Sequence, residues 1–178
     1  MNARIILAFA IAVSATVSRP VDAASPSLRQ GSIRMHAHGQ FDVKIVPQTP
    51  DNEPARISGL MRLSLDKRFH GALDGVSRGE MLATRDATQK NGAYVALESF
   101  SGTLEGRTGG FALVHRALLL DGESKEWTVA VVPGSGSGAL AGIEGAMRIT
   151  VVDGRHEYDL DYTLAESDEA SKRPSPKK

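Results

Sequence analysis

Three groupings of side chains in this 178-residue chain have types and spacings that could do chemistry. His36-Ala37-His38 puts two imidazoles on one face of an extended strand, a spacing that grips a transition metal when further donors arrive from a neighbour. The same face carries Gln40, Asp42 and Lys44, and a solvated outer surface accounts for that polar stripe without a metal. Gly136-Ser137-Gly138-Ala139-Leu140-Ala141 matches G-x-G-x-x-[GA], the loop that brings backbone against a pyrophosphate. That loop needs a helix behind it, whereas Gly142 and Gly145 interrupt the next turn and alternation resumes by Ala146. The segment therefore reads as a glycine-rich loop with one short helical turn near 140–143, bracketing one end of the fold.

The third grouping is the most informative. His115 and His156 each fall on the apolar side of an alternating run, where a polar ring must find a hydrogen-bond partner. Strand order offers Glu80 and Glu98. Glu98 alternates with Tyr94, Ala96 and Phe100, so on an inward face its carboxylate is either paired or protonated. A His/Glu cluster in a barrel mouth is a candidate for proton transfer, and a satisfied structural network uses the same residues with less demand. The chain has no cysteine, and neither Ser135 nor Ser137 sits in a G-x-S-x-G elbow. The sequence names no catalytic residue, no metal-ligand set and no cofactor.

These residues need a scaffold, and period-two alternation between Ile33 and Leu164 supplies one. Strands are predicted near 33–46, 57–66, 70–74, 78–88, 93–104, 109–120, 125–132 and 146–164, the last split at Asp153-Gly154. Asn91-Gly92, Asp121-Gly122 and Asp153-Gly154 suit type I′ hairpin turns. No segment after residue 23 keeps apolar residues at i, i+3, i+4 and i+7 for three turns. Eight or nine twisted antiparallel strands predict an all-β, single-domain barrel, since closure removes both exposed edges. The expected core places His156, Tyr158, Leu160, Tyr162 and Leu164 inward, with Trp127, Val129 and Val131, Phe111, Leu113 and His115, and Phe41, Val43 and Ile45.

Phe69-His70-Gly71-Ala72-Leu73-Asp74-Gly75 is repeated in pattern by Phe100-Ser101-Gly102-Thr103-Leu104-Glu105-Gly106. In each copy Phe, the first Gly and Leu share a strand face, and the final glycine is expected to turn the chain. With Gly110–His115, the glycine-rich stretch Val131–Gly145 and Gly154-Arg155-His156-Glu157-Tyr158, these residues resemble the bacterial family called domain of unknown function 3224. The likeness runs from about Ile33 to Leu164. The resemblance implies an eight-stranded barrel similar to allene oxide cyclase, often self-associating, and carries over no catalytic residue. The chain departs from the pattern at Arg116-Ala117, where a glycine would be expected after His115.

The ends complete the domain plan. One positive charge at Arg4 and an apolar run from Ile5 to Val17, shorter than the roughly 20 residues of a membrane span, precede Val21-Asp22-Ala23. That layout predicts a signal peptide over 1–23, cut after Ala23 or Ala24, and export to the periplasm or beyond with no transmembrane span left after cleavage. A linker at 24–32 leads to the barrel at 33–165, and a disordered tail is expected over 166–178. Cleavage leaves about 155 residues with a net charge of about −1, which does not attract nucleic acid.

The expected function is a non-catalytic module binding a small hydrophobic or amphipathic ligand, with Glu98, Phe111, His115, Trp127, His156, Tyr158 and Tyr162 as candidate ligand-binding residues. A cofactor-free isomerase or cyclase, and a homo-oligomer acting through its surface, are the alternatives.

Overall fold

The computed structural model describes residues 33–164; the expected signal peptide, linker and tail lie outside the described residues. Nine strands follow in order: β1 (Met35–Gln48), β2 (Met61–Gly71), β3 (Leu73–Arg85), β4 (Gly92–Leu104), β5 (Arg107–Leu120), β6 (Glu123–Val131), β7 (Ser137–Gly138), β8 (Glu144–Val152) and β9 (Arg155–Thr163). Neighbours run β4-β3-β2-β1-β9-β8-β6-β5, and β4 also pairs with β5, which closes an eight-stranded antiparallel barrel. The two-residue β7 adds to β5 at Gly109 and Gly110. Closure gives each of the eight long strands a partner on both sides over at least part of its length, the physical advantage of a barrel over an open sheet. The seam between β6 and β8 is the shortest, with Val129 paired to Met147 and Ala130 to Ala146. Among the described residues no helix is long and apolar enough to cross a membrane.

Turn chemistry sets the hairpins. Asp121-Gly122 and Asp153-Gly154 both lie at positive φ, as type I′ turns demand, and Glu105-Gly106 forms a third turn of this kind. Asn91-Gly92 does not. Its loop instead folds around Asp86, whose carboxylate accepts from Thr88 and from Asn91 Nδ2, and Gly92 opens β4 with ordinary backbone. The strand expected from residue 57 begins at Met61, because residues 53–58 form a one-and-a-half-turn helix, α1 (Glu53–Ser58). Asn52 Oδ1 caps it by accepting from Ala55 N–H, and Gly59 ends it in the left-handed conformation. No helix forms at 140–143, where i→i+3 bonds from Leu140 to Ser137 and from Ile143 to Leu140 make successive turns.

The two strands expected at 70–74 and 78–88 are one, β3. In the first repeat copy the chain reverses around Gly71, at φ 103°, so that Phe69 pairs with Gly75; in the second it reverses at Glu105-Gly106. Gly75 is therefore a strand residue and turns nothing. It faces Gly102 across β3 and β4, and a Cβ on Gly75 would lie 2.8 Å from the Gly102 Cα and 2.9 Å from the Phe100 ring. Two facing glycines let the strands carry the Phe100 ring over their backbone.

One end of the barrel is packed solid by Phe69, Leu73, Phe100, Leu104, Phe111, Leu113, Leu140, Ile143, Tyr158, Leu160 and Tyr162, all essentially inaccessible. Phe69 meets Phe100 and Tyr158 edge-on at 5.7 and 5.5 Å between ring centres. Tyr158 Oη accepts from Leu73 N–H at 2.7 Å, and Tyr162 Oη donates to Glu105 at 2.7 Å. Ile45 and Trp127 depart from the expected core: they are 49% and 38% exposed. Both alternate correctly with buried neighbours but stand at the opposite rim, where the barrel is open.

Candidate functional site

Above the packed end, four inward positions from four consecutive strands hold polar side chains: Lys67 on β2, Ser77 on β3, Glu98 on β4 and His115 on β5. They are the four buried polar or charged residues of the described chain. Each follows from alternation, since Leu65, Lys67 and Phe69 share one buried face and Ala96, Glu98 and Phe100 another. Lys67 Nζ donates to Glu98 Oε1 at 2.7 Å, and His115 Nε2 lies 2.8 Å from the same oxygen. The Ser77 hydroxyl donates to Glu98 Oε2 at 2.8 Å. Gly79, paired with Glu98, makes room for this arrangement: a Cβ there would come within 2.7 Å of the Glu98 Cβ.

Burial alone would raise the Glu98 carboxyl, but the hydrogen bond from His115 and the charge of Lys67 outweigh it and hold the group at about 2. An ionised carboxylate can only accept, so the His115 Nε2 facing it carries the hydrogen. Lys67 is also stacked over Phe41, with Nζ 4.8 Å from the ring centre.

This polar layer floors a cavity of about 370 Å³ that opens at the rim. Lys67 and His115 reach into it; the walls are apolar, built chiefly from Val43, Leu63, Leu65, Met81, Leu119 and Trp127. Such a volume lies within the range of small-molecule sites, which combine apolar walls with a few placed polar groups. A larger hollow of about 790 Å³ lies outside the barrel beneath α1, against Leu82, Val95, Leu97 and Val114. Its charged members are already satisfied on the surface, Arg62 pairing with both Asp51 and Glu80, so the inner cavity has the better-defined chemistry.

The expected site residues divide accordingly. Glu98 and His115 meet at the cavity floor, while His156 lines the wall, half-buried and stacked on Phe41 at 5.0 Å. Trp127 stands at the rim, displaced by an irregularity between β5 and β6 where Glu126 adopts φ 47°. Phe111, Tyr158 and Tyr162 lie in the packed end and do not line this cavity. Glu80, the other carboxylate expected near the histidines, faces outward and receives Arg62 through two hydrogen bonds. His36 and His38 are outside too, their Nδ1 atoms 3.0 and 3.1 Å from Asp161 and Asp159 of β9. No group of three or more His, Asp or Glu side chains among the described residues is arranged to hold a metal.

Lys67 and Ser77 were missed from sequence. Lys67 had a readable signal, the alternation Leu63-x-Leu65-x-Lys67-x-Phe69. Ser77 had none, being small and common, with glycines two residues away on either side.

The molecule is thus an eight-stranded antiparallel barrel with one packed end and one open, apolar cavity floored by an ionic cluster. The profile of the family described as "Protein of unknown function (DUF3224)" matches residues 37–162, and the chain belongs to that family. Among solved structures it is similar to the crystal structure of a protein of unknown function from the DUF3224 family of Shewanella oneidensis MR-1. The two share 36% identity and a TM-score of 0.66, over 75% of this chain and 99% of that one. Comparison with curated proteins gave no match.

Proposed function

We propose that the barrel is an exported binding module that holds a small amphipathic molecule in the bacterial envelope, tail toward the rim and polar head on the floor. The observation that carries this reading is the one-ended cavity: apolar walls end on Lys67 and His115, two groups that can hydrogen-bond a head group. Glu98 orients both, and its own oxygens are occupied by Lys67, His115 and Ser77. Protein purified from its natural envelope without organic wash, analysed by native mass spectrometry, is expected to carry a small adduct released on mild activation. A bare protein that also fails to take up any amphiphile would overturn the reading.

A second reading, association of barrels through the outer wall, is favoured by the exposed Leu82, Val95, Leu97 and Val114 on adjacent strands β3, β4 and β5. Mass in solution tests it, and a monomer at high micromolar concentration removes it.

A further inference from the structure

The cavity floor has hydrogen-bonding capacity that the protein does not use. His115 spends Nε2 on Glu98, and its Nδ1 makes no hydrogen bond among the described residues. Among those residues no buried side-chain nitrogen or oxygen is left unpaired, so this Nδ1 is reachable from the cavity that the ring lines. Lys67 has three N–H donors and gives one to Glu98, so it too has donors for a guest. Both nitrogens that contact Glu98 share one oxygen, Oε1, which makes the ammonium and the imidazole close neighbours.

Charge then selects the guest. Lys67 and Glu98 form an ion pair and cancel one another's charge. A cationic head would add an uncompensated charge beside Lys67. An anionic head would be drawn to the Lys67 donors, and the negative charge it brings would be neutralised if the imidazole gained a proton at Nδ1.

Resting on the binding reading above, we propose that the cavity binds a monocarboxylic acid with a short apolar tail, its carboxylate on Lys67 Nζ and His115 Nδ1, and that binding takes up a proton at His115. No covalent bond changes; the proton comes from solvent and ends on Nδ1. Liquid packing allows about 30 Å³ per non-hydrogen atom, so the cavity of about 370 Å³ has room for about a dozen such atoms, the size of a ten-carbon acid. The other titratable or charged groups lining the cavity are Arg85 on β3, Tyr94 on β4 and His156 on β9; β1, β6 and β8 present Phe41, Trp127 and Ile149, which do not titrate.

Calorimetry of the full chain with decanoate, 1-decanol and decylammonium, each at pH 7 in two buffers of different ionisation enthalpy, tests the assignment. Decanoate is expected to bind at least tenfold more tightly than decylammonium, with uptake of a large fraction of one proton that 1-decanol does not show. His115→Gln keeps a side-chain N–H for Glu98 but cannot titrate. It should fold, retain 1-decanol binding and lose the proton uptake, whereas uptake persisting in this variant would place the proton elsewhere and overturn the assignment. Lys67→Met should weaken decanoate at least tenfold and leave 1-decanol within about twofold. Equal binding of all three probes without proton exchange would overturn the carboxylate proposal while leaving the binding module standing; failure of all three to bind would count against both.

Discussion

His115 on β5 places Nε2 2.8 Å from Oε1 of Glu98 on β4, with neither side chain more than 5% exposed. The same oxygen accepts from Lys67, so the carboxylate anchors the buried ammonium and the imidazole at once. Removing the anchor should therefore cost more than removing any one of its donors. Glu98→Ala leaves the Lys67 ammonium buried without its counter-charge, and urea unfolding should show a loss of about 3–5 kcal/mol. Replacing the pair together, Glu98→Leu with Lys67→Met, should recover much of that loss, because no unpaired charge then remains. If the double variant is as unstable as the single, the ionic cluster is not the cause.

Acid should weaken the fold through the buried Glu98 carboxyl. Glu98 sits lower in the folded protein, at about 2, than its ordinary value of 4.5. The stability it contributes is fully present above about pH 4.5 and is lost as pH falls toward 2. A shift of this size corresponds to about 3 kcal/mol at most. Stability measured by urea between pH 6 and pH 2.5 should fall less steeply in Glu98→Gln than in the parent. Parallel curves would show that other carboxylates carry the acid sensitivity.

Occupation of the cavity should be visible in Trp127, the one tryptophan of the chain. It stands at the cavity rim and is partly exposed, so an apolar guest should shield it and shift its emission to shorter wavelength. The shift should saturate with added decanoate. Binding by calorimetry with no change in emission would place the guest away from the rim.

Gly79 should tolerate no side chain. A Cβ there would lie 2.0 Å from the backbone oxygen of Leu97 and 2.7 Å from the Glu98 Cβ, and backbone cannot move aside cheaply. Gly79→Ala is expected to cost about 1–3 kcal/mol or more and to weaken guest binding, because it displaces the carboxylate that orients the floor. Parent-like stability would mean that β3 and β4 separate more easily than their register implies.

His36 and His38 provide the contrast. Their partners Asp161 and Asp159 are on the outer face, and both histidine side chains are more than half exposed. Alanine at either position should change stability by less than about 0.5 kcal/mol and leave guest binding unaltered.

Alternation and turn chemistry made the strand count, the inward faces of β4, β5 and β9, and the hairpins at Asp121-Gly122 and Asp153-Gly154 readable from sequence, because side-chain period and positive φ are local properties. The polar requirement of an inward His115 even pointed to Glu98. What sequence could not decide is which residues of separate strands stand at one height in the barrel. Register brought Lys67, Ser77 and His115 onto Glu98 from strands β2, β3 and β5, sent Glu80 outward to Arg62, and left Phe111, Tyr158 and Tyr162 in the packed end. The irregularity beside Glu126 moved Trp127 to the rim without changing its face. Local preference fixes which way a side chain points; the depth at which it points there depends on strand pairing and shear, which are decided only when the whole barrel closes.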